Sequence, residues 1–239
     1  MKSGISEIKI DLFSLKTRVL IFFFPILFFS SSYFIFIYSP PVYQKLFGVY
    51  ERGFFEWVQF LCYFISACFG FQTFQILRKK TSFNTQKLLI ILFTLGCGFV
   101  SFEEISWGQH IFKWTTPELF SQFNMQNETN IHNLAPIHGN DIQEKAFILV
   151  SWIGGLSWLL RRDSGTLTPK DLILTEWHLA LYFLPIAVYY TQLNFELGFE
   201  LGFELGLDYS HQETFETMLS IGFLGIALTN LKKTSNSLP

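Results

Sequence analysis

The stretch Val19-Leu-Ile-Phe-Phe-Phe-Pro25-Ile-Leu-Phe-Phe-Ser-Ser-Ser-Tyr-Phe-Ile-Phe-Ile-Tyr38 decides the fold class. It holds no charge, and a bilayer core about 30 Å thick needs about 20 apolar residues to be crossed by a helix. A secretory leader would be shorter and would end in a small-residue cleavage site. This run instead ends in Tyr38-Ser-Pro-Pro41, so it is expected to stay as a helix.

Five further stretches qualify or nearly do. With the first they give expected spans at 19–38, 54–77, 88–104, 142–160, 169–190 and 214–231, an all-α polytopic membrane helix bundle in a single domain, 1–239. The fourth is the shortest in purely apolar residues and needs the preceding Asp141-Ile-Gln-Glu144 turn, which has capping-box form, to reach across. Pro169 suits the first turn of the fifth, where its missing N–H costs nothing.

Composition agrees with lipid as the solvent. Half of the 239 residues are hydrophobic, 19% aromatic and only 15% charged, where a soluble domain carries about a quarter charged residues. The net charge of −2 and a pI near 6.2 argue against the basic face that nucleic-acid binding needs. Cys62, Cys68 and Cys97 lie in apolar runs without ligand spacing and read as buried small hydrophobes.

Orientation follows from Lys and Arg, which favour the cytoplasmic side. Lys2, Lys9, Lys16 and Arg18, then Arg78, Lys79, Lys80 and Lys87, then Arg161, Arg162 and Lys170, then Lys232 and Lys233 mark every alternate segment. Both termini are therefore expected inside, and the other connections outside. Two outer connections stand apart. The loop 193–210 carries three copies of Phe-Glu-Leu-Gly, a tandem duplication that an outer loop tolerates cheaply. The loop 112–141 is long and rich in caps and breakers, with expected short helices opening at Thr116-Pro117-Glu118 and at Asn127-Glu128, the second ending before Pro136. A connection of that length with its own structure is more often functional than a plain link.

The chemistry-bearing stretch is Ser101-Phe-Glu103-Glu104-Ile-Ser106-Trp107-Gly108-Gln109-His110. Counted at 1.5 Å per residue from Leu88, Glu103 and Glu104 lie about 22–24 Å along the third span, and carboxylates at that depth face the bundle interior and mark sites. If the helix continues, Glu103 and His110 share a face, while Glu104 points about 100° away. Glu128-Thr-Asn130-Ile-His132-Asn133 adds an acid and an imidazole four apart, and Glu213 and Glu216 open the last span. Glu51 and Glu56 flank the entry to the second span, so four segments bring acid, imidazole and amide groups to one level.

Expected catalytic residues are Glu103, Glu104, Glu128 and His132, with Trp107, Gln109, Asn130 and Asn133 touching substrate. Glu104 is the expected working acid, and Glu103 the acid that holds the following loop. Glu104, Glu128, His132 and Glu213 could hold a divalent metal such as zinc, which takes three or four such ligands; a metal-free carboxylate–histidine pair is the other use. The leading reading is an outward-facing enzyme for hydrolysis or group transfer on a lipid or lipid-linked substrate. A non-catalytic membrane assembly or partner protein, whose polar cluster holds the outer loop, and a proton-coupled transporter are the alternatives.

Glu51-Arg-Gly53-Phe-Phe-Glu56-Trp57, Glu103-Glu-Ile-Ser-Trp-Gly-Gln109 and Glu128-Thr-Asn-Ile-His-Asn133 resemble, in this order, the E-x-G-x-x-E-W, E-E-I-S-W-G-Q and E-T-N-x-H-N signatures of an uncharacterised family of bacterial multi-pass membrane proteins. The resemblance covers about residues 45–135 and implies the bacterial inner membrane, with no activity attached. That family frequently has an acid where Arg52 stands and Arg where His110 stands, which sets His110 aside as a ligand. Ser106-x-x-x-His110 is also similar to the S-x-x-x-H element of ceramidase-like membrane hydrolases, but their H-x-x-x-H pair is missing.

Overall fold

The structure, a computed structural model, describes residues 13–47, 53–80, 84–124, 127–138, 142–161, 169–172, 174–195 and 209–236. They form helices α1 (Leu15–Tyr38), α2 (Pro40–Phe47), α3 (Phe54–Lys80), α4 (Thr85–Glu104), α5 (Gln109–Phe112), α6 (Glu118–Phe123), α7 (Ala135–His138), α8 (Ile142–Leu156), α9 (Leu184–Phe195) and α10 (Gln212–Asn236). One isolated bridge, Asn124 to Leu134, is the extended pairing among the described residues.

Four helices, α1, α3, α4 and α10, are long and apolar enough to cross a membrane. Ser14 starts α1 by accepting from the Thr17 N–H at 3.2 Å, and Asn84 does the same for α4 through Lys87 N–H at 3.2 Å. A side-chain acceptor of this kind satisfies one of the donors a helix start leaves open. Pro25 lies inside α1, and the helix runs through it. Leu20, Phe23, Leu27 and Phe34 of α1 face outward from the protein, an apolar surface that lipid can cover.

The expected fourth and fifth spans are not continuous α-helices. Residues 142–160 are α8 followed by a 3-10 segment, Ser157–Leu160, while 169–190 divides into 3-10 turns at Pro169–Leu172 and Trp177–Tyr182 and the start of α9. Pro185 explains the second break: it has no N–H for Leu181 and its ring would crowd that carbonyl, so α9 begins at Leu184. The expected helix from Asn127 is absent too. Residues 127–134 bend back on Asn124, and the short α7 takes Pro136 into its first turn, where proline is tolerated. Asp141, Thr168, Glu51, Arg52 and the Phe-Glu-Leu-Gly copies beyond Phe195 lie outside the described residues.

α3 packs along α4 on one side and along α10 on the other, and α8 pairs with α9. The main core lies between α9 and α10, where Phe183, Ile186, Tyr190, Phe215, Met218 and Leu219 are buried, with Phe28 and Phe29 of α1 and Phe147 of α8 against them. Close approach is made by glycines. A Cβ on Gly154 of α8 would stand 2.5 Å from the Phe183 ring, and one on Gly222 of α10 would stand 2.8 Å from it. Small residues let membrane helices meet this way.

At the opposite end from the loop that follows α4, Leu172 packs on Leu77 and Ile90. Here Glu176 pairs with Arg161 at 2.5 Å and with Lys233 at 2.9 Å, and Asp171 stands 4.0 Å from Arg161. Asn230 donates to the Leu172 carbonyl at 3.4 Å. This clamp ties the ends of α8 and α10 to the two 3-10 segments.

Candidate functional site

The site begins where α4 stops. Ser106, Trp107 and Gly108 have φ of 45°, 55° and 84°, three left-handed residues in a row. Each non-glycine residue there costs roughly 1–2 kcal/mol, so hydrogen bonds must hold the turn. The Trp107 indole N–H donates to Glu103 Oε1 at 2.5 Å, and the Ser106 hydroxyl donates to Glu128 Oε2. The expectation that Glu103 and His110 share a helical face falls with this break, and the His110 side chain lies outside the described part.

Glu103, buried at the end of α4, gathers the loop. Its Oε2 accepts from the backbone N–H of Ile131 at 2.7 Å and of His132 at 3.1 Å, with His132 Nδ1 at 3.3 Å. The His132 side chain is 30% exposed, so the imidazole bridges a buried carboxylate and the surface. Glu128 is turned to a different task. The expected helical pairing of Glu128 with His132 does not form, because the segment is not helical; Glu128 Oε2 accepts from Ser106 and, at 3.2 Å, from Asn130 Nδ2.

The amides complete the loop. Asn130, with no exposed surface, also donates to Ser106 Oγ at 3.1 Å, and Asn124 Nδ2 donates to Asn130 Oδ1 at 2.8 Å. Gln109 accepts from Thr129 N–H at 2.6 Å and donates to Thr116 Oγ1 at 2.8 Å. Asn133 is buried. Of the residues expected to touch substrate, Trp107, Gln109 and Asn130 therefore make these internal bonds.

Beneath this lies a second polar group inside the bundle. Glu216 of α10 is buried and accepts from the Tyr190 hydroxyl at 3.1 Å and from Gln212 Nε2 at 2.8 Å. It is within electrostatic range of His132 and Glu144. Glu104, half-buried and about 100° around α4 from Glu103, lies with Glu216 within electrostatic range of the buried Tyr63 hydroxyl. Glu213 is placed apart, accepting from Gln59 Nε2 at 2.9 Å.

The expected metal set is thus divided: Glu128 is with Ser106, Glu213 with Gln59, and His132 with Glu103. Among the described residues no three His, Cys, Asp or Glu side chains stand together as a metal site would require. The structure does bring together Glu103, Ser106, Trp107, Gln109, Glu128, Asn130 and His132. Sequence reading missed Tyr63, Tyr190 and Asn124, since a Tyr inside an apolar run gives no sign of the acid it faces. It also missed the Arg161–Glu176–Lys233 clamp, although two acids in an otherwise basic region were a signal.

No family model, curated protein or solved structure matches this chain.

Proposed function

We propose that the chain is a six-pass protein of a bacterial cytoplasmic membrane, with both termini inside, and that its outward end carries out hydrolysis or group transfer on a lipid or lipid-linked substrate. Length supports six crossings. α8 with its 3-10 extension (15 and 4 residues) reaches about 30 Å, as does the 3-10 turn before α9 together with α9 (6 and 12 residues). A 3-10 turn rises faster per residue, so nineteen or eighteen residues cover the bilayer core. The orientation rests on the basic ends described above.

The observation that carries the chemical reading is His132 Nδ1 against the buried Glu103 carboxylate, with the imidazole partly exposed. With Nδ1 donating to Glu103, Nε2 is the basic nitrogen, able to take a proton from water or a substrate hydroxyl as that oxygen attacks. Glu103 orients the ring, and Glu104, about 100° around α4 from Glu103, is the second acid of the proposal, to return a proton to the leaving group. Glu128 and Asn130 hold the turn that displays them.

The test is complementation of a deletion strain by variants first shown to be folded in detergent. His132→Gln, His132→Ala and Glu104→Gln are expected to fold and fail. Full complementation by both His132→Ala and Glu104→Gln would sink the enzyme reading. That result would favour the second reading, a non-catalytic assembly or partner protein. One observation speaks for it: the donors gathered on Glu103 are what a loop-shaping acid needs. A transporter is disfavoured because Ser66, Thr73, Thr94, Thr217 and Ser220 donate to carbonyls of their own helices, as packing residues do.

A further inference from the structure

The outer loop exposes apolar side chains that a water-facing loop would not. Phe112 is 71% exposed, Ile111 and Phe123 50% each, and Trp107 and Trp114 about as much as Phe99 and Phe102 of α4. Trp107 joins this group to the exposed apolar face of α4. The Trp107 ring stacks on Phe102 at 5.5 Å and 17° and meets Phe99 edge-on at 5.9 Å. Phe112 and Trp114 stack on each other at 5.6 Å and 11°, and a Cβ on Gly108 would touch the Phe112 ring at 3.1 Å.

The left-handed turn is what produces this placement. An α-helix continued through Ser106 would carry residues 107–114 onward along the α4 axis and away from the membrane. The reversal at 106–108 instead lays the Trp107 ring back on the lipid face of α4, its N–H kept on Glu103. Trp with its apolar body in lipid and its N–H satisfied is the side chain of a membrane–water interface. Lys113, exposed and left-handed at φ 58°, puts a cation next in sequence to both stacked rings, a side chain able to reach lipid phosphates from an interfacial segment.

We infer that the segment 107–123 is a membrane-surface element, its apolar side chains lying in the bilayer interface beside α4 with lipid as their partner. The site under the loop is then approached sideways from the leaflet. This inference needs the bundle to be in a membrane and does not need His132 to be catalytic.

The experiment uses the full chain in phosphatidylethanolamine/phosphatidylglycerol vesicles, in a Cys68→Ala background whose other two cysteines are buried. A nitroxide is attached at Phe112→Cys, at Leu95→Cys as the lipid-exposed reference on α4, and at exposed Glu118→Cys as the water reference. Relaxation by molecular oxygen, which concentrates in lipid, is compared with relaxation by a water-soluble nickel chelate. Position 112 is expected to side with Leu95, oxygen outweighing nickel several-fold. A ratio at or near that of Glu118 overturns the inference. If Phe112→Cys does not fold, Ile111→Cys is read against the same two references, with the same two outcomes.

Discussion

At the scale of single residues, Glu103 holds the loop after α4 through the Trp107 indole and the N–H groups of Ile131 and His132. Replacing it by Gln keeps the shape but turns one acceptor oxygen into a donor, so at least one of Trp107 Nε1, Ile131 N or His132 N is left facing another donor. A buried donor without an acceptor costs about 1–3 kcal/mol. Glu103→Gln is therefore expected to lower the melting temperature of purified protein by several degrees and to loosen the loop, measured as faster amide exchange at Ile131 and His132. An unchanged melting temperature and unchanged exchange would remove Glu103 from its holding position. Gly108→Ala should cost a comparable amount, from its φ of 84° and the nearby Phe112 ring. The residues of the site were legible because acids, amides and an imidazole inside apolar sequence are conspicuous. Their pairing was not, because it depended on a helix that stops at Glu104. Helical spacing places Glu128 beside His132, whereas the bent chain gives Glu128 to Ser106 and His132 to Glu103.

At the scale of elements, two glycines make opposite predictions. Gly154 faces Phe183 so closely that Gly154→Val must push the ring out of a core it shares with Gly222, and overpacking of that kind costs about 1–3 kcal/mol. Gly96 of α4 has no atom within 4 Å of where its Cβ would stand, and Ala in a helix interior is favoured over Gly by roughly 0.5–1 kcal/mol. Gly154→Val is expected to reduce the yield and melting temperature of folded protein, and Gly96→Ala to leave them equal or higher. Equal effects from both would contradict the packing of α8 on the segment before α9. The long helices were readable from apolar length alone. The expected spans 142–160 and 169–190 were readable as apolar stretches but not as 3-10 and α pieces, since hydropathy does not register how fast the chain rises per residue. Pro185 carried the local signal, and its weight could be judged only against Pro25, which α1 absorbs.

At the scale of the whole molecule, the two ends differ in what holds them. One is closed by hydrogen bonds around neutral amides and two acids, the other by ion pairs among Arg161, Asp171, Glu176 and Lys233. Removing the shared acid by Glu176→Gln leaves two cations close together without their common partner, and partly buried charges stripped of a partner are costly. Such a variant should lose folded yield, and Glu176→Asp should recover part of it. Orientation across the membrane follows from the same asymmetry. Lysines and arginines are held back from translocation, so the clamp end, to which the basic residues Arg18, Lys79 and Lys232 belong, is expected in the cytoplasm, and the end with Glu103 outside. Single cysteines at exposed Lys79, where α3 ends, and at exposed Glu118 of α6 report the two sides without disturbing either closure. In intact cells a membrane-impermeant thiol reagent should label position 118 and leave 79 untouched until the cells are permeabilised. The opposite pattern would place the Glu103–His132 pair in the cytoplasm and end the outward-site reading, whereas labelling of both positions would show that Lys79 and Glu118 lie on one side and that α4, the long helix between them, does not cross.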